Sequence, residues 1–386
     1  MNILVVSGRN IYPIDAGFKK RIYHVSTALS EIGNVDLLVL DRVSSISENH
    51  PFNDITSFPI SKQERALSIA KWTLQGLPIQ VGYFWNSKAY NWLVENQTKY
   101  DLIWLNHIRL LPYSHGIIQL IVFDLHDSIA LHYLQSLKSV SSPIWKRIYQ
   151  FEYPRLQHAE VYASKHFPTI VVSPVDSKFI EYSGGNKPYV IPMGINPLAF
   201  QTPFYTQREN IITFIGKLDY LPNKEGITWF IKNVHPKLPE KLKDYKLVVI
   251  GGHAPEELLR LAEQFDNIQL TGFVENPYDI MAKAKLNIAP IFIGAGIQNK
   301  LLEGFAVGTP TITTIMGKRP IHRKLKKHLL VANSPEEWVE TIVNIWNNKD
   351  FILSTGKITK HLSQEIYSWS NIYKQIQKLA LKITIP

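Results

Sequence analysis

Short apolar runs alternate with helical patterns along most of the chain. The first run, ILVVSG at residues 3–8, leads into a loop rich in turn residues, and apolar residues then recur every three or four positions over 18–32. This spacing predicts a helix, and the apolar run at 35–40 predicts the next buried strand. The chain therefore opens with a strand–helix–strand unit, which is typical of parallel sheets.

The same alternation continues to about residue 191 and restarts after a proline-containing segment at 192–210, which is the predicted interdomain linker. In the first half it predicts strands at 101–106, 121–125, 170–173 and 189–191, helices at 64–74 and 86–95, and a helical zone to 167 that is interrupted near Pro143 and Pro154. In the second half it predicts strands at 211–215, 246–250, 268–270, 286–289 and 311–313, separated by helices at 224–233, 255–264, 277–284 and 299–306. Helices at 336–346 and 364–381 are predicted to follow.

This order of elements predicts two Rossmann-like, doubly wound α/β domains with parallel sheets. We expect the first domain at 1–195 and the second at 196–361, with the helix in 362–386 packing back on the first. Because ligands bind at the carboxyl ends of the strands in such sheets, the two domains are expected to face each other across a cleft. A length of 386 residues is sufficient for two domains of this kind.

Composition excludes several classes of protein. No run approaches the roughly 20 apolar residues that span a bilayer, and Met1-Asn2 leads directly into a strand pattern instead of a signal peptide. The absence of cysteine excludes a disulfide framework and thiolate metal sites, so a reducing, cytoplasmic location is expected.

The formal net charge of +10 suits phosphorylated substrates, nucleic acid or anionic lipid. Basic residues cluster at 19–21 and 318–327, but neither cluster carries the interleaved aromatics of a nucleic-acid platform, so we expect no nucleic-acid partner. Contact with the anionic inner face of a membrane is the favoured interpretation, and a solvated basic surface is its alternative. For the aromatic segment 72–85 we favour ordinary packing over an apolar surface near a membrane.

The segment PIFIGAGIQNKLLEGFAVGTPTITT at 290–314 is the strongest candidate site. It predicts a strand, a glycine turn and the start of a helix, an arrangement that surrounds a small polar ligand with backbone amides. Gly294 and Gly296 allow the backbone to approach a phosphate, and Lys300 adds a positive charge to the first helical turn. Glu303 can accept hydrogen bonds from the two hydroxyls of a ribose, although a glutamate in an early helical turn is also favoured by the helix dipole.

A second glycine–cation turn, Gly216-Lys217, follows the first strand of the second domain. A lysine at a strand end can neutralise a diphosphate leaving group. An ordinary surface lysine is the alternative interpretation of Lys217.

The first domain offers a helix start and a strand end. Gly17 stands just before the first helix, where free amides can bind a phosphate or carboxyl group, but the loop is not the GxGxxG of a nicotinamide or flavin site. His126 and Asp127 follow the strand at 121–125, where a neutral histidine can bond a sugar hydroxyl and the acid can orient the chain or an acceptor. The alternative for Asp124 and Asp127 is a helix cap. No metal motif is present.

Together these stretches resemble the retaining GT-B glycosyltransferases of family four, the glycosyl transferases group 1. The resemblance covers nearly the whole chain and is most specific in the last block, which is similar to a bacterial subgroup associated with exopolysaccharide and other surface-glycan gene clusters. It is carried by Pro13-x-Asp15-x-Gly17-x-x-x-Arg21, His126-Asp127, Phe214-Ile215-Gly216-Lys217-Leu218-x-Tyr220-x-Pro222-Asn223, Thr271-Gly272-Phe273-Val274, and Pro290-x-x-x-Gly294-x-Gly296-x-x-x-Lys300-x-x-Glu303 before Gly308-Thr309-Pro310.

The resemblance implies a role for each of these positions. Gly17 would present its amide to the donor diphosphate, and His126 would contact the transferred sugar. Lys217 would stabilise the leaving phosphate. The base would be bordered by Gly272 and Phe273, and the ribose hydroxyls would be held by Glu303.

Two positions depart from the family pattern. Many members carry a glutamate eight positions before the one that matches Glu303, where this chain has Ala295. That carboxylate would have met the hydroxyls of the sugar. The common Gly-Arg-Leu is here Gly216-Lys217-Leu218, which keeps the charge and loses bidentate geometry. Lys300 is therefore expected to share the phosphate role.

The implied activity is transfer of a sugar from a UDP-, GDP- or dTDP-linked donor to a glycan or lipid-linked acceptor, with retention of anomeric configuration and with no cofactor or metal. Two alternatives remain open. A sugar-nucleotide 2-epimerase shares the two-domain plan, and the alanine at position 295 keeps open a catalytically degenerate nucleotide-sugar-binding subunit of a glycan-synthesis complex.

Overall fold

The computed structural model describes residues 1–43, 49–137, 140, 142–238, 240–242, 244–293 and 296–384. The chain forms two compact units. Unit 1 comprises Met1–Met193 and Trp369–Pro386, and unit 2 comprises Gly194–Ser368.

The described residues of unit 1 form a seven-stranded sheet in which every pair of neighbours is parallel. Its strands are β1 (Asn2–Ser7), β2 (Asn34–Val39), β3 (Ile55–Ser57), β4 (Leu102–Asn106), β5 (Leu120–His126), β6 (Thr169–Val171) and β7 (Tyr189–Val190), in the spatial order β3-β2-β1-β4-β5-β6-β7.

Unit 2 repeats this plan, and its described residues form a six-stranded parallel sheet. Its strands are β8 (Glu209–Ile215), β9 (Lys246–Ile250), β10 (Ile268–Gly272), β11 (Ala284–Ala289), β12 (Thr311–Thr313) and β13 (Leu330–Val331), in the spatial order β10-β9-β8-β11-β12-β13. The strand order reverses between β1 and β4 in unit 1 and between β8 and β11 in unit 2. Ligands bind at the carboxyl ends of strands beside such reversals.

Helices connect the strands. They are α1 (Gly17–Ser30), α2 (Lys62–Leu74), α3 (Ile79–Tyr83), α4 (Ser87–Asn96), α5 (Ile129–Ser136), α6 (Pro143–His166), α7 (Pro174–Tyr182), α8 (Pro197–Gln201), α9 (Leu221–Asn233), α10 (Glu256–Ala262), α11 (Tyr278–Lys283), α12 (Asn299–Val307), α13 (Ile315–Lys318), α14 (Arg323–Lys326), α15 (Pro335–Trp346), α16 (Lys349–Tyr367) and α17 (Trp369–Thr384). In the described part of the chain, none of these helices combines the length and apolar composition needed to cross a bilayer.

Strand β1 shows how unit 1 buries its sheet on both faces. Its side chains alternate in direction. Leu4 and Val6 pack in one hydrophobic cluster, while Ile3 and Val5 pack in the other, and all four are fully buried. The strands of such a sheet are apolar runs, which is why the sequence pattern located them.

Three predicted features differ from the structure. Helix α6 continues through Pro154, because its buried side, which includes Leu156 and Ala159, packs tightly enough to offset the roughly 3 kcal/mol that an internal proline costs. The predicted linker contains α8. The helical pattern at 362–386 is divided at Ser368: residues before it belong to α16 of unit 2, where Tyr367 is buried, and α17 packs on α1 of unit 1.

A buried ion pair ties β5 to α1. The Nε of Arg21 donates to Oδ2 of Asp124 at 2.9 Å, and both side chains are 0% exposed. The same guanidinium donates to the carbonyls of Ile191 and Pro192 at 3.0 and 2.9 Å. Asp124 therefore neutralises an internal arginine instead of capping a helix, and the hydroxyl of Ser128 caps α5.

We expect Asp124→Asn to destabilise unit 1 by about 3–5 kcal/mol, because it leaves the Arg21 charge buried without a partner. Chemical denaturation monitored by fluorescence measures the free energy of unfolding. The matched control is Glu336→Gln, which removes the exposed 2.8 Å ion pair of Glu336 with Lys237 and is expected to leave stability unchanged. Equal effects of the two substitutions would contradict a structural role for the buried pair.

Candidate functional site

In unit 1, two histidines stand at the carboxyl ends of adjacent central strands. His107 follows β4 and His126 ends β5, and their rings are 6.0 Å apart. Both have left-handed backbones, with φ of 87° and 62°. This conformation is uncommon for a residue with a side chain and is enriched at functional sites.

His126 is the predicted sugar contact, and the structure gives it a free acceptor or donor. Its ring is 9% exposed, and Nε2 has no hydrogen-bond partner. Burial lowers the pKa of His126, which Asp124 partly opposes and Arg21 reinforces. The ring is therefore neutral at pH 7 and can bond a hydroxyl through Nε2.

The side chain of Asp127 is exposed beside this ring. Although part of the side chain is accessible, neighbouring protein atoms desolvate the carboxyl group and raise its pKa. The nearby His126 and His132 oppose this shift. Asp127 does not cap α5. A carboxylate in this position can accept a hydrogen bond from a hydroxyl.

Gly17 is the first residue of α1 and is exposed. A Cβ added to Gly17 would meet no atom within 4 Å, so the space over the first amides of the helix is open. The N-cap residue, Ala16, makes no side-chain bond to these amides. These amides can therefore donate to a ligand, and the role of Gly17 in binding one stays a prediction.

In unit 2, glycines allow the strand ends to pack closely. A Cβ on Gly216 would lie 2.5 Å from Nδ2 of Asn223, and one on Gly251 would lie 1.9 Å from the carbonyl oxygen of Gly216. Gly272, at the end of β10, has a φ of 69°. The turns that follow β8, β9 and β10 therefore form one continuous backbone edge that side chains would disrupt.

Lys217 and Asn223 lie on the same edge. Lys217 is exposed and forms a 3.2 Å ion pair with Asp219. Its carbonyl accepts from Nδ2 of Asn223 at 2.9 Å. An exposed lysine on a flexible stem can exchange this partner for a phosphate, since a surface ion pair contributes little stability.

Lys300 is the unusual residue of unit 2, because its side chain is buried in the first turn of α12. It is 6% exposed, donates to Oδ1 of Asn223 and lies 4.5 Å from the ring centroid of Phe214. Burial lowers its pKa to about 8, and Glu303 opposes this shift. A positive charge at the positive end of a helix dipole is unfavourable until an anion joins it.

Helix α12 is held in place by a polar layer under the sheet edge. Nδ2 of Asn287 donates to the carbonyl of Lys300 at 3.2 Å and to Oγ1 of Thr311 at 3.4 Å. A Cβ on Gly304 would lie 2.4 Å from that hydroxyl. The first turn of α12 is therefore in a defined position relative to β11 and β12.

Glu303 lies one turn after Lys300 and is half-buried. The hydroxyl of Tyr278 donates to its Oε1 at 3.4 Å, and burial and Glu303 together raise the pKa of this tyrosine. The structure thus brings a carboxylate, a buried cation and a helix start together in unit 2. This is the combination predicted from the spacing of Lys300 and Glu303.

The remaining predicted residues of unit 2 are less enclosed. Phe273 follows the left-handed Gly272 and is 83% exposed, so its ring is free to cover a planar ligand. Gly296 is half-buried in the turn before α12. Gly294 and Ala295 lie outside the described residues, and their predicted roles stay predictions.

The sequence motif of the second domain includes Asn223 without a role for it, and the sequence alone does not single out His107. Asn223 is hydrogen-bonded to both Lys217 and Lys300. The sequence feature that could have indicated it is a polar residue directly after Pro222 at a helix start. His107 follows the apolar run of β4, which is the same signal that identified His126 after β5.

Comparison with known proteins identifies the region that carries these residues. Residues 209–348 match the family model described as Glycosyl transferases group 1. This range begins at β8 and includes every predicted site residue of unit 2. The match therefore lies within unit 2.

Full-length relatives are distant. A protein of Klebsiella pneumoniae named as an uncharacterized 44.6 kDa protein in the cps region is 22% identical over 397 residues, covering 97% of this chain and 99% of the relative. The structure of Anabaena HepE in complex with UDP has a TM-score of 0.70 at 13% identity, covering 99% of this chain and 100% of that one. Sucrose-phosphate synthase from Thermosynechococcus elongatus has a TM-score of 0.69 at 16% identity, covering 99% of each chain.

These structural neighbours and the two parallel sheets confirm the predicted GT-B fold with two Rossmann-like, doubly wound domains. At identities this low the likeness concerns the fold. The activity has to be argued from the site.

The buried Lys300 predicts a specific dependence of stability on pH. Its pKa is about 8 in the folded protein, below the ordinary value, so the folded state loses the proton first as pH rises. Between about pH 8 and about pH 10 the unfolded state binds more protons at this group, and the free energy of unfolding rises with pH by on the order of 3 kcal/mol.

Denaturation of the wild type and of Lys300→Met at several pH values isolates this term. The difference in free energy of unfolding between the two proteins should change between about pH 8 and about pH 10, because the methionine cannot titrate. Lys224→Met, at a half-buried lysine that pairs with the exposed Glu257, is the control and should follow the wild type. A pH-independent difference between Lys300→Met and the wild type would contradict the lowered pKa.

Proposed function

We propose that this protein is a glycosyltransferase that moves a sugar from a nucleoside diphosphate sugar to a glycan or lipid-linked acceptor, with retention of anomeric configuration. The observation that carries the proposal is the pair formed by the buried Lys300 and Glu303 at the start of α12, inside the region that matches the Glycosyl transferases group 1 family. HepE, a structural neighbour, was solved with UDP, which supports a nucleotide-sugar donor here.

Lys300 suits the departing diphosphate. The diphosphate gains negative charge as the bond from the sugar C1 to the phosphate oxygen breaks, and cations fixed in advance at that oxygen stabilise the transition state. A bound diphosphate would raise the lowered pKa of Lys300 and keep the side chain charged. The amides at the start of α12 and the exposed Lys217 add to this stabilisation.

Glu303 suits the ribose. An ionised carboxylate accepts hydrogen bonds from both hydroxyls of a diol, which fixes the orientation of the nucleoside. The hydroxyl of Tyr278 lies beside one oxygen of Glu303 and limits its rotation. Gly272 and the exposed ring of Phe273 would border the base.

In unit 1, the neutral ring of His126 would bond the transferred sugar through Nε2, Gly17 would present its amide to the diphosphate, and Asp127 would orient the acceptor. The acceptor hydroxyl attacks C1 on the face that the diphosphate leaves, and its proton passes to the departing phosphate oxygen. This same-face displacement retains the anomeric configuration. The charge stabilisation comes from lysines and helix amides, so no metal and no cofactor is required.

We further propose a role in the synthesis of a surface polysaccharide or glycoconjugate at the cytoplasmic face of the membrane. The Klebsiella relative named for a cps region supports this role. The acceptor would then be a growing glycan or a lipid-linked sugar.

Exposed apolar side chains on two helices of unit 1 support contact with anionic lipid. Helix α2 has no buried residue, and its Leu67 and Leu74 are 73% and 89% exposed. At the start of α6, Ile144 and Trp145 are 71% and 53% exposed. An amphipathic surface of this kind binds a bilayer through its apolar side chains.

Basic residues accompany these apolar side chains. Helix α2 carries Lys62, Arg65 and Lys71, and Lys146 and Arg147 follow Trp145 on α6. The two helices are joined by α3, which packs on α2 and whose first amide donates to Glu152 of α6 at 3.0 Å. In contrast, the rings of Trp72 and Trp85 pack together at 5.0 Å, so part of the aromatic segment has the ordinary packing that we favoured.

We expect the protein to bind or hydrolyse one of a panel of UDP-, GDP- and dTDP-sugars, with hydrolysis unchanged by a chelator. Glu303→Ala should weaken binding of that donor severalfold or more, because two hydrogen bonds to a charged group are lost. Calorimetry measures the affinity, and NMR of the products identifies the anomer.

The control for this experiment is Glu257→Ala, at an exposed glutamate that pairs with Lys224. Donor affinity equal in the wild type and in Glu303→Ala would refute the ribose assignment. Inversion at C2 of the sugar would instead establish the epimerase, and tight donor binding without hydrolysis or transfer would establish a binding subunit.

We expect the protein to co-sediment with vesicles that contain an anionic phospholipid, and to bind vesicles of phosphatidylcholine alone more weakly, because lipid charge attracts the basic residues. The double substitution Leu74→Ser and Trp145→Ser should reduce binding severalfold. Ile118→Ser, at an apolar residue of unit 1 that is 82% exposed, is the matched control and should have no effect. Equal loss in both variants would show that α2 and α6 are not the contact.

A further inference from the structure

Two arginines of unit 1 approach the same aromatic ring at the carboxyl edge of the first sheet. The guanidinium carbons of Arg9 and Arg109 lie 5.6 and 5.5 Å from the ring centroid of Phe84. Arg9 follows the end of β1 and Arg109 follows the end of β4, which are the strands beside the reversal of strand order. The two cations therefore lie close together at the position where a doubly wound sheet binds its ligand.

The ring of Phe84 is fixed by the absence of a side chain in the turn after β1. A Cβ on Gly8 would lie 2.9 Å from Cδ1 of Phe84, so only glycine permits this ring position without a shift. Phe84 itself is 5% exposed. The ring beside the two guanidinium groups is therefore buried and closely packed.

Neither arginine forms an ion pair with an acid among the described residues. Arg109 donates from Nε to Oε1 of Gln80 at 2.7 Å, which is a neutral partner, and Arg9 also lies over Phe18 at 5.9 Å. Asp124, an acid of the same sheet edge, is occupied by Arg21.

The electrostatics show that the two cations repel each other. Burial and then the charge of Arg9 lower the pKa of Arg109 to about 10. Burial also lowers the pKa of His107, and Arg109, His126 and Arg9 lower it further. His107 is therefore neutral, and unit 1 holds two uncompensated positive charges beside two neutral imidazoles.

Each of the two imidazole rings also has a nitrogen without a hydrogen-bond partner. Nδ1 of His107 and Nε2 of His126 are both buried and have no hydrogen-bond partner. Buried polar atoms without partners are uncommon in folded proteins and are found where a ligand completes the set. The left-handed backbones of both residues add conformational strain, which marks functional positions more often than structural ones.

We propose that Arg9, Arg109 and His107 form a binding site for an anionic group, a phosphate or a carboxylate, on the acceptor. Two guanidinium groups offer planar, multiple donors that match either oxyanion, and a neutral imidazole donates one further N–H. The proposal rests on the proposed glycosyl transfer, because it assigns this anion to the acceptor. It narrows the acceptor to a sugar or lipid-linked sugar that carries a negative charge.

Inorganic phosphate tests this site after the protein has been saturated with UDP, so that the diphosphate positions of the donor site are occupied. Phosphorus NMR measures phosphate binding. Arg109→Gln and Arg9→Gln should each weaken it about tenfold or more, because each removes charge-assisted hydrogen bonds. Arg109→Lys, which keeps the charge and loses the fork of donors, should fall between the wild type and Arg109→Gln.

Glucuronate, added as a competitor, distinguishes the two oxyanions. If glucuronate displaces the bound phosphate at a lower concentration than added inorganic phosphate does, the natural ligand is assigned as a carboxylate. If it does not, the ligand is assigned as a phosphate. Arg42→Gln, at an exposed arginine of unit 1, is the control and should change the affinity for phosphate by less than about twofold. Thermal melting verifies that each variant is folded.

Binding of UDP is recorded separately, so the two proposals can fail independently. Failure of every nucleotide to bind would contradict the proposed function, and phosphate would then be titrated without UDP. Absence of phosphate binding to the wild type would overturn the anion site. Equal weakening by Arg42→Gln and by the two site variants would overturn it as well.

Discussion

Parallel sheets that are covered on both faces leave little room for polar side chains. In each unit the central strands are buried apolar runs, and every strand points in the same direction. Polar groups are therefore concentrated where the strands end, and the reversal of strand order opens a gap between neighbouring connections at that edge. The placement of His107 after β4, of His126 at the end of β5 and of Lys217 after β8 follows from this constraint.

The buried cations Arg21 and Lys300 differ in the partners that compensate their charge. Arg21 is fully buried but has Asp124 and two carbonyl oxygens as partners, so its charge is compensated within the fold. Lys300 is nearly as buried and has an amide oxygen as its hydrogen-bond acceptor, with a correspondingly lowered pKa. A buried charge with an ionised partner is compensated within the fold, whereas a desolvated charge with a neutral partner keeps its capacity to bind an anion. This difference is the reason for proposing Lys300, and not Arg21, as a ligand-binding cation.

Each unit contains cations that have no ionised partner in a salt bridge among the described residues. Unit 2 keeps Lys300 beside Glu303, which suits a diphosphate next to a ribose. Unit 1 keeps Arg9 and Arg109 on one aromatic ring without an acid partner in the described residues, which suits a second anion. Each of these groups lies at the reversal of strand order in its own sheet, and the proposed transfer between two charged substrates would use both.

The sequence by itself determined the two-domain parallel architecture, because strands buried on both faces must be apolar runs and the helices between them must be amphipathic. It also predicted that Lys300 and Glu303 lie one turn apart at the start of one helix, since that spacing is local. The tertiary structure decided the pairing of Arg21 with Asp124 and the convergence of Arg9 with Arg109, which are separated by about a hundred positions along the chain. Contacts of that kind depend on which strands become neighbours, and periodicity within a single element carries no information about them.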